Sequence, residues 1–178
     1  MVAWHPFRIG DKCFDLGHLH PYCIQYVQAA GQNKPERRYQ VQVIFGLHCF
    51  TRSPKPDERF SREWCYSDSR ETRTFCLQRY ELSKRLPEII NDLSRQRCYH
   101  TQKGNFFVVE ILDTANEPRQ YEVYFKASRP RLRGMLNLFV QSAYVRDKNV
   151  RHPSLLKSVR LFVILHNTLI GKTIKAPP

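Results

Sequence analysis

The sequence predicts an α+β fold: a helix followed by an antiparallel four-stranded meander, with an N-terminal β-containing elaboration. Three observations predict it. From Tyr80 to Ser94 the apolar residues recur with the 3.6-residue period of a helix. Four apolar, partly alternating runs then follow, over 106–112, 120–127, 136–145 and 160–170. Short loops join successive runs, which favours antiparallel neighbours. A helix that precedes such a sheet covers one of its faces.

The elements follow in chain order within one domain, 1–178. Residues 1–75 are the elaboration. Phe7, Ile9, Phe14, Leu16 and Leu19 are scattered among His, Gly and Pro, and Cys23–Gln28 reads as a short strand. Gly31-Gln-Asn-Lys-Pro35 is a turn. In 39–50, Val41, Val43, Phe45 and Leu47 alternate with Gln40, Gln42 and His48, the pattern of a half-buried strand. Two prolines and five charges make Arg52–Arg59 a loop, and 72–77 is another short strand. Residues 80–170 are the core. Leu82, Leu86, Ile89, Ile90 and Leu93 share one helix face, and Pro87 either kinks that helix or opens a second one. In 120–127, Tyr121, Val123 and Phe125 oppose Glu122, Tyr124 and Lys126. In 136–145, Leu136, Leu138, Val140, Ser142 and Tyr144 share a face. Basic connections at 129–134 and 146–157 separate the last strands, and 171–178 is an unpaired tail.

The charge is uneven. The chain of 178 residues has a formal net charge of +13, and from Lys126 to Lys175 eleven basic residues face a single acid, Asp147. Basic residues on a β scaffold suggest a structured surface for a polyanion, so Lys126, Arg129, Arg131, Arg133, Arg146, Lys148 and Arg151 are the candidate nucleic-acid contacts. No apolar run approaches the roughly 20 residues of a membrane span, and the first residues lack the apolar segment of a secretory signal. The expectation is a cytosolic protein with no membrane partner. Six cysteines without a C-x-x-C pair read as reduced thiols.

There is no P-loop, dinucleotide fingerprint, H-E-x-x-H, G-x-S-x-G or EF-hand loop. Acids are too sparse in the C-terminal region for a two-metal nuclease, so no cofactor is expected. Three segments carry candidate chemistry. In Phe45–Arg52, an extended backbone puts His48, Phe50 and Arg52 on one face; a base or acid beside a guanidinium suits phosphate chemistry, though an edge histidine and a solvated arginine read equally well. In Cys98–Asn105, His100 titrates near neutral pH and Lys103 suits a phosphate oxygen, although the same residues make an ordinary turn. At the end of the last candidate sheet strand but one, Ser142 and Tyr144 suit a ribose or a base, or are structural. A weaker alternative is a small zinc site from Cys13, His18, His20 and Cys23, against a loop merely rich in these residues.

In its order of a helix and four antiparallel strands over 80–170, with basic and aromatic polar residues on the sheet, the chain resembles the barnase, EndoU, colicin-type and RelE-type ribonucleases, the BECR fold. The resemblance implies metal-independent RNA cleavage, often by a toxin paired with an antitoxin. The leading expectation is thus an RNA-cleaving toxin or phage-defence effector, with RNA favoured over DNA. Arg52, His100, Lys103, Ser142 and Tyr144 would line its cleft, with His100 as first and His48 as second choice of acid or base. The alternatives are a non-catalytic nucleic-acid-binding regulatory or assembly module, and a basic surface for an acidic antitoxin or inhibitor protein.

Overall fold

The computed structural model describes residues 3–32, 34–54, 62–101, 106–112, 119–130, 134–146 and 158–174. Strands dominate them. β1 (Phe7–Ile9) and β2 (Lys12–Phe14) form a hairpin, and β3 (Tyr22–Gln28) pairs antiparallel with the long β4 (Arg37–His48). β5 (Thr51–Arg52), β6 (Cys65–Ser67) and β7 (Thr72–Phe75) make a small sheet in the order β5-β7-β6. Two short helices follow, α1 (Leu77–Ser83) and α2 (Leu86–Asn91), then β8 (Arg97–His100), β9 (Phe106–Leu112), β10 (Arg119–Ser128), β11 (Met135–Val145), β12 (Ser158–Arg160) and α3 (Leu161–Leu169). The main sheet has seven strands in the order β12-β8-β9-β10-β11-β4-β3.

This architecture overturns the predicted fold class, a helix followed by an antiparallel four-stranded meander. The sheet is mixed, because β11 and β4 run parallel. The N-terminal strands are not an elaboration, since β4 lies inside the sheet between β11 and β3. The candidate strand 160–170 is mostly helix: Leu161, Ile164 and Leu165 are buried at helical spacing, and a helix satisfies the backbone of this apolar run without a sheet neighbour. The candidate turn after the helices contains a strand, because β8 pairs with both β9 and β12. The predicted 80–94 helix is two helices, with Pro87 in the first turn of the second, where its missing N–H costs nothing. The ribonuclease resemblance drew on a strand at 160–170, and that segment is mostly helix.

One sheet face is the core. Tyr39, Val41, Val43, Phe45 and Leu47 of β4 join Leu136, Leu138 and Val140 of β11, and Tyr121, Val123 and Phe125 of β10, all nearly inaccessible. Leu86, Ile89, Ile90, Ile164 and Leu165 of the helices belong to the same cluster. A second aromatic cluster continues it beneath the small sheets, with Phe7 stacked on Phe75 at 4.1 Å and Trp4 edge-on to Phe50 at 5.3 Å. Such pairs add to the area they bury.

β11 does not keep one alternation. Its register shifts against β10 between Tyr124 and Phe125, and against β4 between Val140 and Ser142. Gln141 is the extra residue of a bulge relative to β10. Leu136, Leu138 and Val140 therefore face the core, whereas Ser142 and Tyr144 face the other way, which corrects the single face predicted for all five. Gly46 makes the bulge possible. A Cβ there would lie 3.0 Å from the Gln141 carbonyl oxygen and from Phe139 Cζ, and 3.2 Å from the Val140 carbonyl oxygen.

Candidate functional site at the ends of β4 and β11

Because β4 and β11 are parallel, their C-terminal ends lie side by side. There the face turned from the main core carries a cross-strand row, His48–Ser142–Tyr124–Phe107–Tyr99, set by the registers of four adjacent strand pairs, with Phe107 itself buried. Ser142 is the small member between His48 and Tyr124. Cross-strand Cβ atoms lie about 5 Å apart, so the two larger side chains are rooted about 10 Å apart with the small Ser142 between them, and we call this position the notch. Tyr144, two residues on, borders it.

A continuous polar network surrounds the notch. The hairpin turn between β6 and β7 is set by the Asp68 carboxylate, which accepts the N–H groups of Arg70 and Glu71 at 2.8 and 3.0 Å and is thereby held below its ordinary pKa against the opposing pull of burial. That turn aims Glu71 at His48, with Oε1 2.7 Å from Nε2. The carboxylate accepts there, so Nε2 carries the proton and Nδ1 is the basic nitrogen. The hydrogen bond from His48, aided by Arg73, holds the Glu71 carboxyl below its ordinary value. Arg73 donates to Glu71 Oε2 at 3.3 Å and to Thr51 Oγ1 at 3.1 Å. From α1, Arg79 donates to the carbonyls of His48 and Thr51 at 3.0 and 2.8 Å, and its guanidinium lies over the Tyr144 ring, 5.4 Å from its centre. Burial draws the Arg79 pKa down, yet an arginine remains charged.

On the other side, Tyr144 stacks on Tyr124 with ring centres 5.4 Å apart, and Tyr124 stacks on Phe107 at 5.2 Å. The Tyr124 hydroxyl donates to Glu122 Oε2. Burial first, and that carboxylate second, push the Tyr124 pKa up, so the phenol stays protonated. Glu122 is wholly inaccessible, and its second oxygen accepts from Arg146 Nη1 at 2.6 Å. A buried carboxylate needs such a partner. Three arginines and two carboxylates thus hold the rim of one notch.

The predicted residues divide. His48, Ser142 and Tyr144 come together, and Arg52 stands on β5 beside Thr51, its Nη1 on the Ser53 carbonyl at 3.2 Å. His100 does not join them. It pairs with Phe106, its ring edge-on to that residue at 5.2 Å, and so faces the core side of the sheet, three strands from Ser142 or about 15 Å. Lys103, Arg131, Arg133, Lys148 and Arg151 lie outside the described residues. Lys126 is exposed on the face turned from the main core, Arg146 is bound to Glu122, and Arg129 reaches the Leu169 carbonyl at the end of α3. Cys13, His18, His20 and Cys23 do not form a metal cluster. Among the described residues no group of three possible ligands is gathered; His18 bonds Ser83 Oγ at 2.8 Å and His20 the Trp4 carbonyl at 3.1 Å. All six cysteines are free thiols. Among the described residues no helix is long and apolar enough to cross a membrane.

The sequence reading missed Glu71, Arg73, Arg79 and Glu122. Alternation over 72–77 puts Arg73 on the face of Phe75 and Leu77 and so gives no sign of its polar role, and nothing local points from Glu71 to His48.

Fold and site define a class: a strongly basic protein with a curled mixed sheet, one face packed under helices and a polar notch on the other beside its parallel strand pair. Residues 6–169, from before β1 to the end of α3, match the YjaZ family, and the chain belongs to that family. Among curated proteins and solved structures none matches it.

Proposed function

We propose that the notch binds single-stranded nucleic acid, RNA in preference to DNA, and seats one phosphate beside Arg79. The observation that carries this reading is the placement of His48, Ser142, Tyr124 and Tyr144 around one opening, with Arg73, Arg79 and Arg146 behind them, on a chain of formal charge +13. Guanidinium groups suit phosphate, and a ring backed by a cation suits a base or a ribose edge. In fluorescence anisotropy with a labelled RNA 12-mer, Arg79→Lys and Tyr144→Ala should each weaken binding about tenfold, or about 1.4 kcal/mol. Wild-type affinity should fall steeply with salt. Unchanged affinity in both variants would remove the notch from the binding surface. RNA-insensitive binding of an acidic protein to the same residues would favour a protein partner instead.

A second reading, metal-independent RNA cleavage by a toxin or defence effector, is favoured by the His48–Glu71 pair. Glu71 fixes the imidazole with Nδ1 basic and would stabilise the imidazolium formed when a ribose 2′-hydroxyl loses its proton. Incubation of RNA in EDTA should then give 2′,3′-cyclic phosphate ends, lost in His48→Ala and kept in His100→Ala. Intact RNA that is nonetheless bound would leave the binding module as the function.

A further inference from the structure

β3 ends the main sheet on one side, and β4 takes only one of its edges. Every second residue of such a strand turns its N–H and C=O outward. Among the described residues, the outward groups of Tyr22–Gln28 have no hydrogen-bond partner. An edge strand is ordinarily blunted by a charge, a proline or a bulge. Tyr22-Cys-Ile-Gln-Tyr-Val-Gln28 has no charge and no proline, in a chain that is 25% charged. Its register with β4 runs unbroken from Tyr22 to Gln28, so it has no bulge either. Val27, on the face turned from the core, is left 46% exposed.

This strand is complementary to itself. A twofold axis at Gln25 sets Ile24 against Tyr26 of a second copy, Cys23 against Val27, Tyr22 against Gln28, and Gln25 against Gln25. Ile24 with Tyr26 is a β-branched and aromatic pair at the margin of the core, and Cys23 gives the exposed valine an apolar neighbour. The two Gln25 carboxamides suit each other as donor and acceptor. Every pair joins residues an even number of positions apart, so outward backbone groups meet outward backbone groups.

Charge selects the same arrangement. Two copies of a chain of formal charge +13 repel unless their cations are kept apart. The cations of the paired strand, Arg37 and Arg38, stand opposite Gln28 and Val27, at one end of β3. Antiparallel pairing about Gln25 sends the two arginine-bearing ends in opposite directions. Strand rise and spacing put the Arg38 residues of the two copies about 20 Å apart, well beyond a Debye length of about 8 Å. An acidic strand from another protein would find no cation in Tyr22–Gln28.

We infer that β3 is a homodimer interface, where two copies pair antiparallel about Gln25 and join their sheets edge to edge. The inference goes beyond the proposed function and draws nothing from the notch. Sedimentation velocity at about 100 µM should give a mass of about twice 21.2 kDa. Two variants at exposed positions, each confirmed folded by circular dichroism, locate the interface. Gln25→Lys sets like charges opposite each other and should weaken the dimer about tenfold. Val27→Cys, under mild oxidation, should give an intermolecular disulfide joining positions 23 and 27, identified by mass spectrometry of the linked peptides. Within one strand those positions lie about 13 Å apart, too far to bridge, so the bond reports the pairing and its register. A dimer indifferent to Gln25→Lys, or one that does not form that disulfide, overturns the inference and puts the contact on another face. A monomer at this concentration overturns it too, and leaves the edge to a strand from another protein.

Discussion

Replacing Gly46 with alanine should destabilise the protein and spoil the notch together. The added Cβ would meet the Gln141 and Val140 carbonyl oxygens at 3.0 and 3.2 Å, and Phe139 Cζ at 3.0 Å. The phenyl tip is the far end of a side chain, but the carbonyls are fixed by the pairing of β11 with β4 and β10. Overpacking of this kind costs about 1–3 kcal/mol. Alanine recovers about 0.4–1 kcal/mol by restricting the unfolded chain, which leaves a net loss of about 1.3 kcal/mol. For a chain of this size, 1 kcal/mol moves the midpoint by about 2–4 °C, so a fall of about 3–5 °C is expected in thermal denaturation followed by circular dichroism. The same shift of the bulge would move Ser142 and Tyr144, so RNA affinity measured well below the midpoint should also drop. A variant as stable as wild type, or more so, would refute the idea that close approach at the bulge requires glycine.

Other outcomes follow from the polar network. Glu71 has its folded pKa below its ordinary 4.5, chiefly through the hydrogen bond from His48. A depressed carboxylate stabilises the fold above its unfolded pKa and loses that contribution as pH falls through the folded one. The stability gap between wild type and Glu71→Gln should hold above about pH 5.5 and close in more acid solution; a gap that widens on acidification would contradict it. Arg146→Met strips the charged partner from inaccessible Glu122 and should cost about 3 kcal/mol in urea denaturation, more than Glu122→Gln; a loss below about 1 kcal/mol would mean that the pair is solvated. Burial pushes the Cys49 and Cys98 thiols up to about 12, whereas Cys13 and Cys23 are exposed. Alkylation of the native protein, mapped by mass spectrometry, should modify Cys13 and Cys23 first and spare Cys49 and Cys98.

The strands were legible where one face is buried and the other wet. The inward residues of β4 and β10 are those the alternation names, although Gly46 and Glu122, on the opposite face, are buried too. The 160–170 segment misleads because a short apolar run fits a strand or a buried helix equally, and only the pairing partners decide. β8 has four residues, one of them an exposed arginine, too short for a period. The bulge left no mark, since Gln141 is unremarkable in sequence and the cause, Gly46, sits on another strand. The site was half legible for the same reason. Alternation singled out His48, Ser142 and Tyr144, but their partnership with Glu71, Arg73 and Arg79 depends on a hairpin turn and a helix brought in from elsewhere. His100 had the right chemistry, and a strand where a turn was expected turned it toward the core side.

The parallel pairing of β4 with β11 also dictates an order of assembly. β9, β10 and β11 are joined as successive antiparallel neighbours and close over short distances, whereas Ser142 meets His48 across roughly ninety residues of chain, the kind of contact whose closure entropy is met late. The notch straddles that seam, so it comes into being only when the two halves of the chain have found each other. Pulse-labelled hydrogen exchange during refolding should protect the β10 amides before those β4 amides that bond to β11; simultaneous protection would argue for a single nucleus. A chain interrupted before β11 is synthesised would carry His48, Glu71 and Arg79 without the strand that supplies Ser142 and Tyr144, and so would have no notch with which to act.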